Sequence, residues 1–426
     1  MSEREKKRGT GSAPPLSAMQ ERHSRGACPR FFLTPSRRRV AVITGTRAEY
    51  GLLKSTLAAI KTHPRLTLQL VVTGMHLLRE FGHTVDDIVR DGWRIDARVR
   101  MQAGSDDPLD QAGGLSRGVH GIARFLEGAK ADIVVVLGDR IEAMAGALAA
   151  VTTGRVLAHI HGGDVAPGDF DDSLRHAITK LAHVHLVATR DAARRVLRLG
   201  ESPERVHVVG APGLDRLREL LGCSGRAPYR PASAHGPKPL LKSSGTPAAL
   251  VLYHARGRPA AVEASTMETL LRAVASLGLR RLILYPNTDR GHRGVLRAIE
   301  RHRRQSPPPD VQVFPSLPRD DYLHALSDAA VLAGNSSSGI IEAPLAGTPS
   351  VDVGPRQAGR QPGGPSVIHC GESEAAIRQA VQRALGMRWR SGEGSVYGDG
   401  RSGPRIAHIL AELPLSSEFA RKVIAY

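Results

Sequence analysis

Apolar and polar positions along this chain follow two alternating rhythms. Short runs that are apolar at nearly every position, Arg39 to Thr44, Leu66 to Val72, Asp132 to Leu137 and Arg155 to His159, predict strands of a sheet covered on both faces. The stretches Tyr50 to Lys61 and Glu142 to Val151 read as helices; strands separated by helices imply parallel pairing through right-handed crossovers. Val184 to Ala188 and Val206 to Val209 extend the same sheet. The rhythm fails between about Leu221 and Pro247, where Ala, Pro, Gly, Ser and Lys dominate, and then restarts in Ala248 to Tyr253, Arg281 to Tyr285, Val311 to Phe314, Ala329 to Ala333 and Ser350 to Val353. The expectation is an α/β protein with two Rossmann-like domains facing one cleft, residues 39–220 and 248–405. A linker with an insert, 221–247, joins them, a basic tail, 1–38, reads as disordered, and 406–426 forms a C-terminal helical segment.

Composition narrows the function classes. At 426 residues the chain exceeds one typical core, in keeping with two domains. Its net charge of +18 invites a nucleic-acid reading. However, the first 39 residues hold ten Lys or Arg against three Glu, and the remaining excess is dispersed through helices such as Arg190 to Arg198 and Arg301 to Arg304. No recognised nucleic-acid module or aromatic stacking pattern accompanies it, so no nucleic-acid partner is expected. The longest apolar windows, such as Ala143 to Val151, fall far short of the roughly 20 residues that span a bilayer, and the N-terminus lacks an apolar signal core. The expectation is a cytoplasmic protein without a membrane partner. Cys28, Cys223 and Cys370 are odd in number and widely spaced, which excludes a disulfide framework or a Cys-x-x-Cys site; Cys370 reads as a small buried filler. Neither Gly-x-Gly-x-x-Gly nor Gly-x-x-x-x-Gly-Lys-Ser/Thr occurs, so dinucleotide redox and P-loop phosphoryl chemistry lose their main support, and no cofactor is expected.

Polarity is concentrated where the strands end. His159-Ile160-His161-Gly162-Gly163-Asp164 runs on to Asp171-Asp172-Ser173-Leu174-Arg175-His176-Ala177-Ile178-Thr179-Lys180, and the preceding strand closes in Gly138-Asp139-Arg140. In open α/β sheets these carboxyl ends bind ligands. Asp139, His161, Asp164, Asp171, Asp172 and, from the second domain, His254 are the candidate acids and bases. Beside Arg140, Asp139 reads equally as a functional acid or as half of an ion pair. Arg175 and His176 open a helix with Lys180 one turn on, placed to orient the acids or to contact phosphate. Asn335-Ser336-Ser337-Ser338-Gly339 lies between a strand and a helix starting near Ile340, where hydroxyls and orphan N–H groups stabilise a diphosphate; the alternative is a simple Ser N-cap. Arg47, in the first strand-to-helix turn, is within reach of the same anion. His159 and His161 alternate along a strand without a third ligand, so no metal site is expected.

These motifs also carry a resemblance. Gly45-Thr46-Arg47-Ala48-Glu49-Tyr50-Gly51, Thr73-Gly74-Met75-His76-Leu77, Gly138-Asp139-Arg140-Ile141-Glu142, the His159 to Lys180 block and Gly334-Asn335-Ser336-Ser337-Ser338-Gly339 resemble, in order, the hydrolysing UDP-N-acetylglucosamine 2-epimerases. The resemblance implies a GT-B fold and an enzyme of sialic-acid synthesis. Such an enzyme eliminates UDP from the sugar nucleotide and adds water back, releasing N-acetylmannosamine. It implies that Asp139, His161, Asp164, Asp171, Asp172 and His254 act on the sugar. Arg47, Arg140, Arg175, Ser336, Ser337, Ser338, Gly339, Glu342 and Arg356 would serve the UDP side, with Glu342 on the ribose diol. A homodimer or homotetramer is implied as well. The chain departs from the pattern in three places. His161 stands where some relatives carry glutamate, Asp164 replaces a commoner glutamate, and Ala255-Arg256-Gly257-Arg258 replaces a proline-containing continuation. A non-hydrolysing epimerase, a GT-B glycosyltransferase and a non-catalytic nucleotide-sugar binder are the competing readings.

Overall fold

Two parallel sheets organise the chain. The computed structural model describes residues 37–79, 82–103, 108–165, 171–222, 247–286, 291–306, 310–390 and 395–425; the expected tail up to residue 36 and most of the linker, with Cys28 and Cys223, lie outside them. The first sheet holds β1 (Arg38–Thr44), β2 (Leu66–Thr73), β3 (Ala97–Val99), β4 (Ile133–Leu137), β5 (Val156–Ile160), β6 (Val184–Val187) and β7 (Val206–Val208) in the order β3-β2-β1-β4-β5-β6-β7. The second holds β8 (Ala248–Leu252), β9 (Arg280–Leu284), β10 (Val311–Phe314), β11 (Val331–Gly334), β12 (Ser350–Val353) and β13 (Val367–Cys370) in the order β10-β9-β8-β11-β12-β13. Every pairing is parallel. Apart from β3 and β13, each strand had been expected to within about two residues.

Local chemistry explains the elements. All five residues of β4 and of β8 are buried, as a sheet with helices on both faces requires. The Arg47–Thr62 helix starts at Thr46, whose side chain accepts the Glu49 N–H, and buries Tyr50, Leu53, Leu57 and Ile60. That stripe is worth roughly 1.5–3 kcal/mol per fully buried large side chain. Ile406 and Leu410, from the Ser402–Glu412 helix, join the same core. The chain therefore returns from the second sheet to the first, and Asp215 fixes the return by accepting the N–H groups of Ser402 and Gly403 at 2.9 and 2.6 Å. Leu214 and Leu217 share a core with Leu250, Leu282 and Leu332, which joins the two halves apolar to apolar. No helix among the described residues is long and apolar enough to cross a membrane. This is the two-domain GT-B arrangement.

Candidate active site

In each sheet the strand order reverses at one point, between β1 and β4 and again between β8 and β11. Loops diverge there and leave a crevice. Gly45-Thr46-Arg47 follows β1, Gly138-Asp139-Arg140 follows β4, and His161 follows β5, one strand further on. Tyr253-His254 and Asn335-Ser336-Ser337-Ser338 occupy the second reversal. A cavity of about 930 Å³ opens between the halves, with Arg47, Tyr50 and His161 on one wall and Arg319, Ser337 and Glu342 on the other. Such a volume accommodates a nucleotide-sized ligand.

Behind the first wall, Arg175 is the hub. Its buried guanidinium pairs with Asp139, donates to Asp172 Oδ1 at 2.8 Å, and donates to the Asp164 carbonyl at 2.8 Å. Asp139 is therefore ion-paired with Arg175 and not with its sequence neighbour Arg140. Arg140 instead donates to Glu142 Oε2 at 3.3 Å and to Met75 Sδ at 3.4 Å. Burial lowers the Arg175 pKa to about 10, so it stays cationic at neutral pH and draws both carboxylates together. The Asp171 side chain lies outside the described residues.

His161 is the member of this group that forms the cavity wall. Its backbone is left-handed, φ 64°, a conformation costing a non-glycine residue roughly 1–2 kcal/mol. Nδ1 lies 2.8 Å from Asp164 Oδ2. An ionised carboxylate can only accept, so His161 Nδ1 is the donor in this bond. His159 is different: fully buried, it bonds the Gly138 carbonyl at 2.7 Å, and burial pushes its pKa down to about 3. A neutral His159 ties the ends of β4 and β5 together. Lys180, expected near the acids or phosphate, donates to the Leu199 carbonyl at 2.8 Å and to Glu201 at 2.6 Å. Buried Glu201, also bonded to His185 and Lys422, draws it away from the site. Among the described residues no group of three His, Cys, Asp or Glu could hold a metal ion.

Asn335 organises the second wall. Its side chain is fully buried; Oδ1 accepts the His254 N–H at 2.7 Å and Nδ2 donates to the His254 carbonyl at 2.9 Å. Its own carbonyl accepts from Gln357 at 2.8 Å and from Arg356 at 3.3 Å. Arg356, expected to meet the nucleotide, braces this turn and is not among the cavity-lining residues. The helix expected near Ile340 is two four-residue turns, Ser338–Ile341 and Ala343–Ala346, broken at Glu342 with Pro344 beyond it. So few aligned peptides carry little macrodipole, and an anion here would depend on local donors. Ser336, Ser337 and Ser338 do line the cavity. Ser337 spends no hydroxyl bond on capping, which sets aside the simple N-cap reading for that residue. Gly339 sits behind the wall, its N–H donating to the Ser336 carbonyl at 3.0 Å and its carbonyl accepting from the Ser350 hydroxyl at 2.5 Å. Ser338 bonds to Tyr322 and Glu342, and Glu342 pairs with Arg319. After His254, Arg256 and Arg258 pair with Glu372 at 2.5 and 2.9 Å, and Arg258 also with buried Glu263 at 3.0 Å. Ion pairs thus hold the loop that follows His254.

The profile of the UDP-N-acetylglucosamine 2-epimerase family matches residues 58–411. The chain belongs to this family. It is 33% identical over 354 residues to a UDP-N-acetylglucosamine 2-epimerase of Neisseria meningitidis, covering 82% of this chain and 88% of the relative. It is 31% identical over 393 residues to the UDP-N,N'-diacetylbacillosamine 2-epimerase (hydrolyzing) of Legionella pneumophila, covering 91% and 100%. The crystal structure of UDP-GlcNAc 2-epimerase from Neisseria meningitidis bound to UDP-GlcNAc superposes with a TM-score of 0.71 at 16% identity, over 88% of this chain and 100% of that one, a likeness of fold.

Within this epimerase fold several polar groups escaped the sequence reading. Arg319 lines the cavity, donates to the Gly213 carbonyl at 3.1 Å and pairs with Glu342; nothing in Pro318-Arg319-Asp320-Asp321 distinguishes it from a helix start. Glu49 and Glu142 are both buried beneath the Gly45 turn. Glu49 accepts the Gly45 N–H at 2.8 Å, and burial, reinforced by the Glu142 charge, pushes its pKa up to about 8. Gly45 is required there, since a Cβ would stand 2.4 Å from Glu142 Cγ. The Thr46-Arg47-Ala48-Glu49 string, a capping box, was the available signal.

Proposed function

We propose that this epimerase-family enzyme is of the hydrolysing type, acting on UDP-N-acetylglucosamine or a close UDP-HexNAc relative. The supporting observation is the single cavity that joins the His161–Asp164 wall, backed by the Asp139–Arg175–Asp172 cluster, to the Ser336–Ser338 and Glu342 wall. One wall has groups that move protons and the other has donors for an anion. The Legionella relative, matched over its whole length, bears a hydrolysing name.

In this reading UDP lies on the second half. Ser336, Ser337 and Ser338 meet the diphosphate, Glu342 turns from Arg319 to the ribose, and Arg47 approaches from the first half. The hexosamine faces His161, Asp164, Asp139 and Asp172. A base from this group takes the C2 proton while the C1–O bond breaks and its electron pair leaves with UDP. Water then adds across the resulting double bond, its oxygen to C1 and a proton to the opposite face of C2, which yields the free 2-epimer. Arg175 keeps the two carboxylates adjacent, and Asn335 holds the backbone of His254. Closure of the cavity excludes bulk water during elimination.

Incubating purified protein with UDP-N-acetylglucosamine and identifying both products tests the proposal. Free N-acetylmannosamine and UDP in equal amounts are expected. A UDP-linked 2-epimer without free UDP would assign the non-hydrolysing type, and tight binding without turnover would assign a nucleotide-sugar binder.

A further inference from the structure

A second cleft, about 520 Å³ in volume, lies at the outer edge of the first sheet. It shares no lining residue with the cavity between the halves. Arg98 and Arg100 line it from the end of β3, and Arg117, His120, Arg124 and Phe125 line it from the Pro108–Ala129 helix. Periodicity builds both rows: residues two apart along a strand share a side, and helix positions three, four and seven apart share a stripe. Gly121 lets the helix pack closely on β3, because a Cβ there would lie 2.6 Å from Val99 Cγ1. Any larger residue would lift the helix off the strand.

The charges of this cleft are not balanced from within. Arg117 is anchored, its Nε donating to the Met101 carbonyl at 2.7 Å and Nη2 to Asp110 at 3.4 Å. Among the described residues Arg98, Arg100, His120 and Arg124 meet no carboxylate and no acidic side chain lines the cleft. Some exposed arginines elsewhere are paired, Arg90 with Asp87, Arg194 with Asp191, Arg272 with Glu374 and Arg301 with Glu268; what sets Arg98, Arg100 and Arg124 apart is that they line one cleft. Like charges gathered in a cleft repel one another and focus the field on an incoming anion.

We propose that this cleft is a second anion site that takes a diphosphate-bearing small molecule. Guanidinium forks match phosphate oxygens in pairs. Arg98 and Arg100 start about 7 Å apart along the strand, and Arg117 and Arg124 about 10 Å apart along the helix. That span fits two linked phosphates better than one carboxylate. The diphosphate is either free or part of a nucleotide, and the inference is independent of what occupies the main cavity.

The test is calorimetric titration of the full chain with inorganic pyrophosphate and, separately, with UDP. The wild type is compared with Arg98→Ser/Arg124→Ser and with a control of equal charge loss, Arg194→Ser/Arg198→Ser. The cleft variant is expected to keep its unfolding temperature and main-cavity UDP binding, while one pyrophosphate-binding step weakens at least tenfold and the control is unaffected. A matching loss of a second UDP step identifies nucleoside diphosphates as the source; its absence identifies free diphosphate. Identical titrations of wild type and cleft variant, or an equal loss in the control, would overturn the proposal.

Discussion

Arg175 shows what a single residue contributes that its neighbours in sequence do not reveal. Its guanidinium brings together Asp139 from the end of β4 and Asp172 from its own helix, so two carboxylates that would repel each other share one buried cation. If they act on the sugar, Asp139→Asn and Asp172→Asn, nearly isosteric, should each lower turnover by roughly 100-fold or more, the scale of general acid–base effects. UDP affinity should survive, because UDP is placed on the Ser336–Ser338 wall, to which neither carboxylate belongs. Steady-state kinetics with calorimetry on the same preparations separates the outcomes, and normal turnover would return both acids to a structural role. The candidates could be named from the sequence because they cluster in short strings such as Gly138-Asp139-Arg140. Their partners could not, since Arg140 adjoins Asp139 in sequence yet turns to Glu142, while Arg175 arrives from the helix of the next crossover.

At the level of elements, long apolar runs were legible and short or interrupted pieces were not. β3 has three residues and lies at a sheet edge, and β13 has four, with His369 and Cys370 less buried than the Val367 and Ile368 before them. Neither presents the continuous apolar run that marks β4. The one helix expected to start near Ile340 is instead two short turns, because Pro344 permits only a new first turn. What holds this wall is Asn335, which clamps His254 in both directions and carries the Arg356 turn on its carbonyl. Asn335→Asp preserves the acceptor for the His254 N–H but sets an oxygen against the His254 carbonyl. A loss of about 1–3 kcal/mol for an unsatisfied buried group is expected, with both UDP affinity and turnover reduced. Ser337→Ala should weaken UDP binding by on the order of 1 kcal/mol and leave the unfolding temperature unchanged. Calorimetry and thermal melts of the two variants check the contrast, and an Asn335→Asp protein with wild-type affinity and turnover would contradict it.

Across the whole molecule, the function depends on two halves that meet. Leu214 and Leu217 pack with the second sheet, and Arg216 reaches across to Asp320 with two bonds of 3.0 and 2.6 Å. The Ser402–Glu412 helix returns to the first half. These ties set the Ser336–Ser338 wall opposite the His161 wall, and the chemistry proposed between them is elimination across C1 and C2 followed by hydration. Elimination discards the original C2 proton, and hydration takes a new one from solvent. The decisive measurement is therefore mass spectrometry of the sugar released from UDP-N-acetylglucosamine in deuterium oxide. One non-exchangeable deuterium at C2 of free N-acetylmannosamine, accompanied by an equivalent of UDP, is the predicted result. Protium retained at C2 of the released 2-epimer would contradict the account.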